Sequence, residues 1–330
     1  MADIAKRYLI TGAKGCIGAW VVKNLVESGN SPVLFDLDHK SSRLSLLLKE
    51  EQVRVIDFVQ GDISSFEDVD RAVTQHGITH VIHLAGLQVP FCAADPVRGA
   101  RVNVIGMLNV FESAKRHRDQ VRKIVYASSC AVFGPPEHYG TKTISADVPH
   151  YPLTHYGAYK DCNEANARVY FLNDGISSVG LRPWAVYGVG RDQGKSSGPS
   201  KAIKATVVGR KFTIPFTGWV DLHYADDVAK IFIRAAEHGI DGALLYSPRG
   251  SVIHVDEYLK TLSKILPAAS ELIDARGGTQ QVAYDIDDPS LVRDLGPLPQ
   301  TSLESGIRQT AEIFETLKRE NRLDVSDLEA

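Results

Sequence analysis

Residues 8–18 read YLITGAKGCIG. Residues 8–11 form a short apolar run of strand character, and 17–28 repeat apolar residues at helical spacing. Between them stand Gly12, Gly15 and Gly18, spaced G-x-x-G-x-x-G. In a strand–turn–helix unit each glycine has its own task. Gly12 makes the tight turn, Gly15 lets the backbone approach a pyrophosphate, and Gly18 lets the helix pack closely on the sheet. The helix N-terminus, with Cys16 and Ile17 in its first turn, offers free N–H groups and a positive dipole end to that anion.

Outward from this unit the pattern repeats. Strand-like runs at 33–35, 53–59, 80–84 and 123–127 alternate with helix-like stretches at 66–75 and 97–116. A helix over 158–173 and a strand over 177–182 follow. Such alternation gives an α/β fold, a doubly wound parallel sheet with helices on both faces. After Arg182 the pattern changes. Residues 188–200, GVGRDQGKSSGPS, read as a loop long enough for a mobile lid or substrate loop. One further strand is expected at 243–246, and helices at 254–265 and 302–319. The polar residues from about 320 onward are expected to fray.

The second strand runs into LFDLD, with Asp36 standing 18 residues after Gly18. A carboxylate there accepts from both adenosine ribose hydroxyls and repels a 2′-phosphate, so NAD is expected over NADP. Asp38 is the alternative ribose ligand, and Lys14, Lys40 and Arg43 are the nearby cations that would favour NADP. In GDIS, with Ile63 beside it, Asp62 is either an adenine contact or an ordinary helix cap or Asx-turn. The fourth strand ends HLAG, where Leu84 is followed by the small residues Ala85 and Gly86. A dinucleotide can lie across such a strand end.

The stretch HYGAYKDCNEANA carries the chemistry. Tyr156 and Lys160 are four apart and share one helix face. An ammonium beside a phenol favours the phenolate, which makes tyrosine usable as a general base. Tyr159 is adjacent to Lys160 and does not share its face. In YASSCAVFG a serine, Ser128 or Ser129, can hydrogen-bond the substrate oxygen at the carboxyl end of the fifth strand.

Taken in order, TGAKGCIG, LFDLD, GDIS, HLAG, NVIGMLNVFESA, YASSCAVFG, YGAYK, LRPWAVYG, DLHYADDVA and DDPSLVRDLG resemble the extended short-chain dehydrogenase/reductase family, in its NAD-dependent epimerase/dehydratase group. The resemblance implies a Rossmann domain of residues 1–182 plus 219–250 and a smaller, discontinuous substrate domain of 183–218 plus 251–330. It implies Tyr156 as base, Lys160 as ribose ligand and modulator of the tyrosine, and Ser129 as third member. Ser129 is preferred because it lies four residues before Phe133, the aromatic of the family's V-Y-G motif. Asn103, Gln88 and the backbone after Arg182 would line the cofactor site. The family also implies a homodimer paired through the helices at 97–116 and 158–173.

The sequence also departs from the family. Nucleotide-sugar epimerases resembling it carry Asn where LRPWAVYG has Ala185, and a diphosphate-binding Arg where WVDLHYADD has Val220. A later arginine is matched only by the neighbouring Arg276. Apolar side chains cannot replace a charged fork opposite a diphosphate, so the expected substrate is carbohydrate-like and lacks a nucleotide. Gln88, Ser129, Cys130, Tyr156 and Arg191 are the expected substrate contacts, with Arg182, Lys195, Lys201 and His223 as further possible tethers. Dehydratases of the group have an Asp-Glu pair where this chain has Cys130 and Ala131, which disfavours dehydration. The expected reaction is NAD-dependent oxidation of a secondary alcohol. The alternatives are a sugar epimerase with tightly held NAD and a non-catalytic NAD-binding scaffold.

Composition bounds the rest. The 330 residues hold 37 Lys plus Arg against 40 Asp plus Glu, a formal charge of −3, which gives no basic excess for nucleic acid. The run at 8–11 is too short for a signal-peptide core and no run approaches membrane-spanning length, so a soluble cytoplasmic protein is expected. Four dispersed cysteines read as free thiols, and no spacing suggests a metal site.

Overall fold

The computed structural model describes residues 6–38 and 43–329. Its strands in chain order are β1 Tyr8–Thr11, β2 Val33–Asp36, β3 Phe58–Gln60, β4 His80–His83, β5 Lys123–Ala127, β6 Thr143–Ser145, β7 Ser178–Leu181, β8 Ala185–Tyr187, β9 Phe212–Ile214, β10 Trp219–Tyr224, β11 Ala243–Tyr246, β12 Ser251–His254, β13 Ile273–Ala275 and β14 Asp285–Asp287. Seven of them form one parallel sheet in the order β11-β7-β5-β4-β1-β2-β3. Strand order reverses between β1 and β4, the switch point at which ligands bind in doubly wound sheets. This is the expected Rossmann architecture.

Both faces of the sheet are covered. The helices Cys16–Glu27 and Ala225–Glu237 close one face through Trp20, Val21, Phe232 and Ala235. Phe66–Gln75 and Gly106–Arg116 close the other through Val69, Val73, Val110 and Phe111. A separate three-stranded sheet, β12-β10-β8, lies beside it, so Trp219–Tyr224 sits in the smaller sheet while the helix and strand that follow it join the larger one.

Four expectations are corrected. The run at 53–59 is not one strand: Glu50–Arg54 is helical and β3 begins at Phe58. Lys49 N donates to Gln52 Oε1 at 3.0 Å, a local cap that outweighs the β-branched Val53. The stretch 97–116 is helical throughout but contains a π-turn at Arg101–Ile105, a local insertion that hydropathy does not reveal. The helix Gly198–Val208 begins inside the expected loop, with Pro199 in its first turn. The C-terminal segment also docks: Lys204 Nζ reaches Asp327 Oδ1 at 2.8 Å and Asp324 O at 3.1 Å.

The helix His155–Asp174 presents the chemistry. Thr154 Oγ1 caps its start by accepting from Gly157 N at 3.0 Å, and Gly175, at φ +69°, ends it. From its buried side Glu164 binds Arg182 through two oxygens, each at 2.7 Å, and also accepts from Ser128 Oγ. Arg182 further reaches Ala146 O at 2.9 Å and His150 Nε2 at 3.2 Å. The donor atoms of His150, Asp161 and Glu164 lie close enough together to suggest a cation site, but the charge among them is the Arg182 guanidinium. Arg182→Ala would strand a buried carboxylate and is expected to lower stability by about 3–5 kcal/mol. Urea denaturation checks this; a loss below about 1 kcal/mol would show that the pair is not needed.

Candidate active site

The glycine turn is built as its sequence requires. Gly12 has φ +66°, and a Cβ there would lie 2.6 Å from Ala85 N. At Gly18 a Cβ would meet Gly12 O at 2.3 Å, so helix and turn touch backbone to backbone. Gly15 caps the helix and leaves Cys16 and Ile17 in its first turn. Gly12 N donates to Phe35 O, and Lys14 N donates to Asp36 Oδ2, both at 3.0 Å, so turn and acid form one unit. The other Asp36 oxygen accepts from Leu37 N at 2.9 Å. Lys14 Nζ turns toward Asp38, and Arg43 pairs with Asp192. Lys40 lies outside the described residues.

Asp62 forms an Asx-turn, its Oδ1 accepting from Ser64 N and Oγ at 2.8 Å each. Ile63 is buried against Gly106. The amides of Leu84 and Ala85 donate to Thr11 Oγ1 at 3.2 and 3.3 Å, which draws the end of β4 onto β1.

Gly86, Asn103 and Lys160 meet beside this strand end. A Cβ at Gly86 would lie 2.8 Å from Asn103 Oδ1 and 3.7 Å from Lys160 Nζ. Asn103 sits in the π-turn, where its Nδ2 donates to Leu87 O and Gly99 O. Its buried Oδ1 has no hydrogen-bond partner among the described residues. A glycine-lined cradle with an unmatched acceptor and a buried ammonium fits a dinucleotide whose ribose hydroxyls donate there.

The two serines separate cleanly. Ser128 is fully buried and held by Glu164. Ser129 accepts from Ala131 N at 3.1 Å and hydrogen-bonds toward Tyr156, so it is the serine facing the phenol. Tyr159 is used elsewhere, its hydroxyl donating to Pro96 O at 2.8 Å. Lys160 Nζ donates to Ala127 O at 2.6 Å and lies 5.5 Å from the Tyr156 ring centre. Burial pushes its ammonium down to about 8, against the pull of Cys92 and Glu164. The Tyr156 phenol is raised, not lowered as expected, because burial outweighs the hydrogen bond from Ser129 and the positive charge of Arg191.

Among the expected substrate contacts, the Arg191 charge acts on both Tyr156 and Cys16, favouring the ionised form of each. Its Nη2 donates to Ser196 Oγ at 2.8 Å, while its buried Nε has no partner among the described residues. Gln88 Oε1 lies 2.6 Å from where a Cβ on Gly194 would stand. The Cys130 thiol donates to Arg182 O at 2.9 Å and is raised well above its usual pKa by burial, so it is a wall and no acid or base.

Several possible tethers are otherwise engaged. Arg182 is held by Glu164. Lys201 stacks over Phe212, and Arg276 pairs with Asp274 on the surface. His223 pairs with Asp221 at 2.7 Å and lines a cavity of about 240 Å³ that includes neither Tyr156 nor Lys160.

The segment expected to be a mobile lid is pinned at its start. Val189 O accepts from Trp20 Nε1 at 3.0 Å, Gly188 N donates to Ser200 Oγ at 3.0 Å, and Asp192 holds Arg43. Sequence reading missed Asp192, which sits among charged and small residues that look like solvated loop; only its pairing with Arg43, 149 residues away, reveals its role.

The comparisons agree with this geometry. The model of the NAD dependent epimerase/dehydratase family matches residues 8–244. The chain is 28% identical to a UDP-glucose 4-epimerase of Mycolicibacterium smegmatis, over 93% of this chain and 98% of that one. Among solved structures, the UDP-glucose 4-epimerase of Thermus thermophilus in complex with NAD is 26% identical, with a TM-score of 0.78 over 93% of this chain and 98% of that one. A monomeric L-threonine 3-dehydrogenase from a metagenome shares the fold at 21% identity, with a TM-score of 0.81 over 94% and 99%. The glycine turn, the seven-stranded sheet and the family match lead to one conclusion: the chain belongs to the NAD-dependent epimerase/dehydratase family.

Proposed function

We propose that the protein removes a hydride from a secondary alcohol of a carbohydrate-like small molecule that carries no nucleotide, with Tyr156 as general base. The observation that carries this reading is the burial of Val220 and Ala185, with relative exposures of 0% and 1%. At the two positions where nucleotide-sugar epimerases place Arg and Asn, this chain has apolar side chains inside its core. Neither can reach a diphosphate, and Arg182 and Arg276 are paired elsewhere.

In this reading Tyr156 takes the hydroxyl proton while Ser129 Oγ holds the same oxygen. The C–H electron pair leaves as hydride, and a carbonyl forms. The glycine turn, Asp36, Gly86, Asn103 and Lys160 would hold NAD, whose chemistry when bound is to accept that hydride. The Arg191 charge favours the phenolate, and Gln88 and Arg191 would orient the substrate. A nucleotide-sugar epimerase is the second reading, favoured by the named activity of the Mycolicibacterium and Thermus relatives.

A panel of aldonates, uronates, free sugars and polyols with NAD separates the two. Stoichiometric NADH from a panel member, with UDP-glucose and UDP-galactose inert, is expected. Interconversion of UDP-sugars without net NADH would establish the epimerase instead. Tyr156→Phe should cost about 10²–10⁴ in turnover and leave NAD binding intact; near-normal turnover would remove Tyr156 as base.

Lys160 adds a pH dependence. Its charge is complete well below pH 8 and is lost as pH rises through about 8. NAD affinity, measured by calorimetry, should therefore bend downward above about pH 8, and the bend should vanish in Lys160→Met. A flat profile in the native protein would exclude a charged Lys160 as cofactor ligand.

A homodimer is also proposed, through a face on which Phe91, Val97, Ile105, Val169 and Leu172 are exposed. Light scattering should give twice the mass of the chain; a monomer at working concentration rejects it.

A further inference from the structure

The loop after β8 carries a second carboxylate into the adenosine end of the crevice. Arg43 Nε donates to Asp192 Oδ2 at 2.9 Å and Nη2 to Oδ1 at 2.6 Å, a bidentate pair. Arg43 Nη1 donates to Lys14 O at 3.2 Å. Lys14 is the residue whose amide donates to Asp36, and the Arg43 charge feels the Asp36 carboxylate directly. The guanidinium therefore stands beside the carboxylate expected to meet the ribose hydroxyls.

An arginine in this place is the residue type that accommodates a ribose 2′-phosphate, because its fork matches two phosphate oxygens. Here the same fork is closed on Asp192. The other local cation among the described residues, Lys14, is likewise turned onto Asp38. The loop that brings Asp192 is fixed independently. Trp20 Nε1 holds Val189 O, and Gly190, at φ +84°, supplies the left-handed backbone that turns the chain against the Arg43 side chain. Asp192 is thus held in place by contacts other than its own ion pair.

We propose that Asp192 is a cofactor-specificity residue: by engaging the Arg43 guanidinium it denies a 2′-phosphate its counter-ion and makes the site select NAD over NADP. Asp36 repels the phosphate, and Asp192 removes the cation that would offset the repulsion. Asp192→Asn keeps the side-chain size but removes the charge, so Arg43 becomes available to an incoming phosphate.

The test is binding of NAD and NADP by calorimetry, which needs no substrate, so its outcome is independent of the substrate reading above. Asp192→Asn should tighten NADP about ten-fold, the effect of about 1.4 kcal/mol, and change NAD less than three-fold. Adding Arg43→Ala should abolish that gain. Arg43→Ala alone should bind NAD nearly as the native protein does, which keeps the proposal testable if Asp192→Asn folds poorly. An unchanged NADP/NAD ratio in Asp192→Asn would overturn it, as would a gain that survives Arg43→Ala. Equal weakening of both cofactors would show that the pair only fastens the loop, and would overturn it too.

Discussion

The backbone at Gly12 is the constraint on which the rest depends. Its amide joins β1 to β2 through Phe35 O, its carbonyl accepts from Gly15 N, its missing Cβ makes room for Ala85, and the missing Cβ of Gly18 lets the helix approach its carbonyl. Thr11, one residue earlier, draws in the end of β4 through its hydroxyl. Three strand ends and one helix N-terminus therefore converge within a few residues. Any side chain at Gly12 would need both a strained left-handed backbone and a displaced neighbour.

Burial sets the electrostatics of the same crevice. It works against charge on Lys160, His83 and Tyr156, and the outcome depends on the partners. Lys160 keeps its charge to about pH 8. His83, beside it and hydrogen-bonded to Thr11 Oγ1, is driven down to about 3 by burial and by the Lys160 charge, so it stays neutral and serves as a structural link. Tyr156 is raised, and what opposes the rise is Ser129 and Arg191. On the proposed reading, a cation that prepares the base is thus supplied by Arg191, 35 residues downstream of Tyr156.

Much of this was legible in the sequence because it is local. The glycine turn, the strands at 8–11 and 123–127, the helix at 66–75 and the Tyr156–Lys160 spacing all depend on residues within a turn or two of one another. What escaped depends on distant partners or on backbone insertions. The π-turn that points Asn103 inward has no compositional sign. The engagement of Ser128 and Arg182 by Glu164 is invisible until β5, β7 and the helix His155–Asp174 are side by side. The loop at 188–200 has the glycine, serine and charge of a mobile segment, yet Asp192 is paired with Arg43 and Gly188 is held by Ser200.

That loop also bears on how the reaction would end. An epimerase must retain its keto intermediate while the hydride returns to the opposite face, and in nucleotide-sugar enzymes the diphosphate supplies the tether. Here the positions of two such anchors are occupied by core residues, Val220 and Ala185. Arg191 remains as a cation with an unmatched buried donor, its charge felt at Tyr156. A single guanidinium can orient a small polar substrate, but it gives one point of attachment, about which a freed carbonyl product can pivot and leave. On the proposed reading, retention of product would fall to fewer contacts than in a diphosphate-anchored site, which would favour net oxidation over return of the hydride.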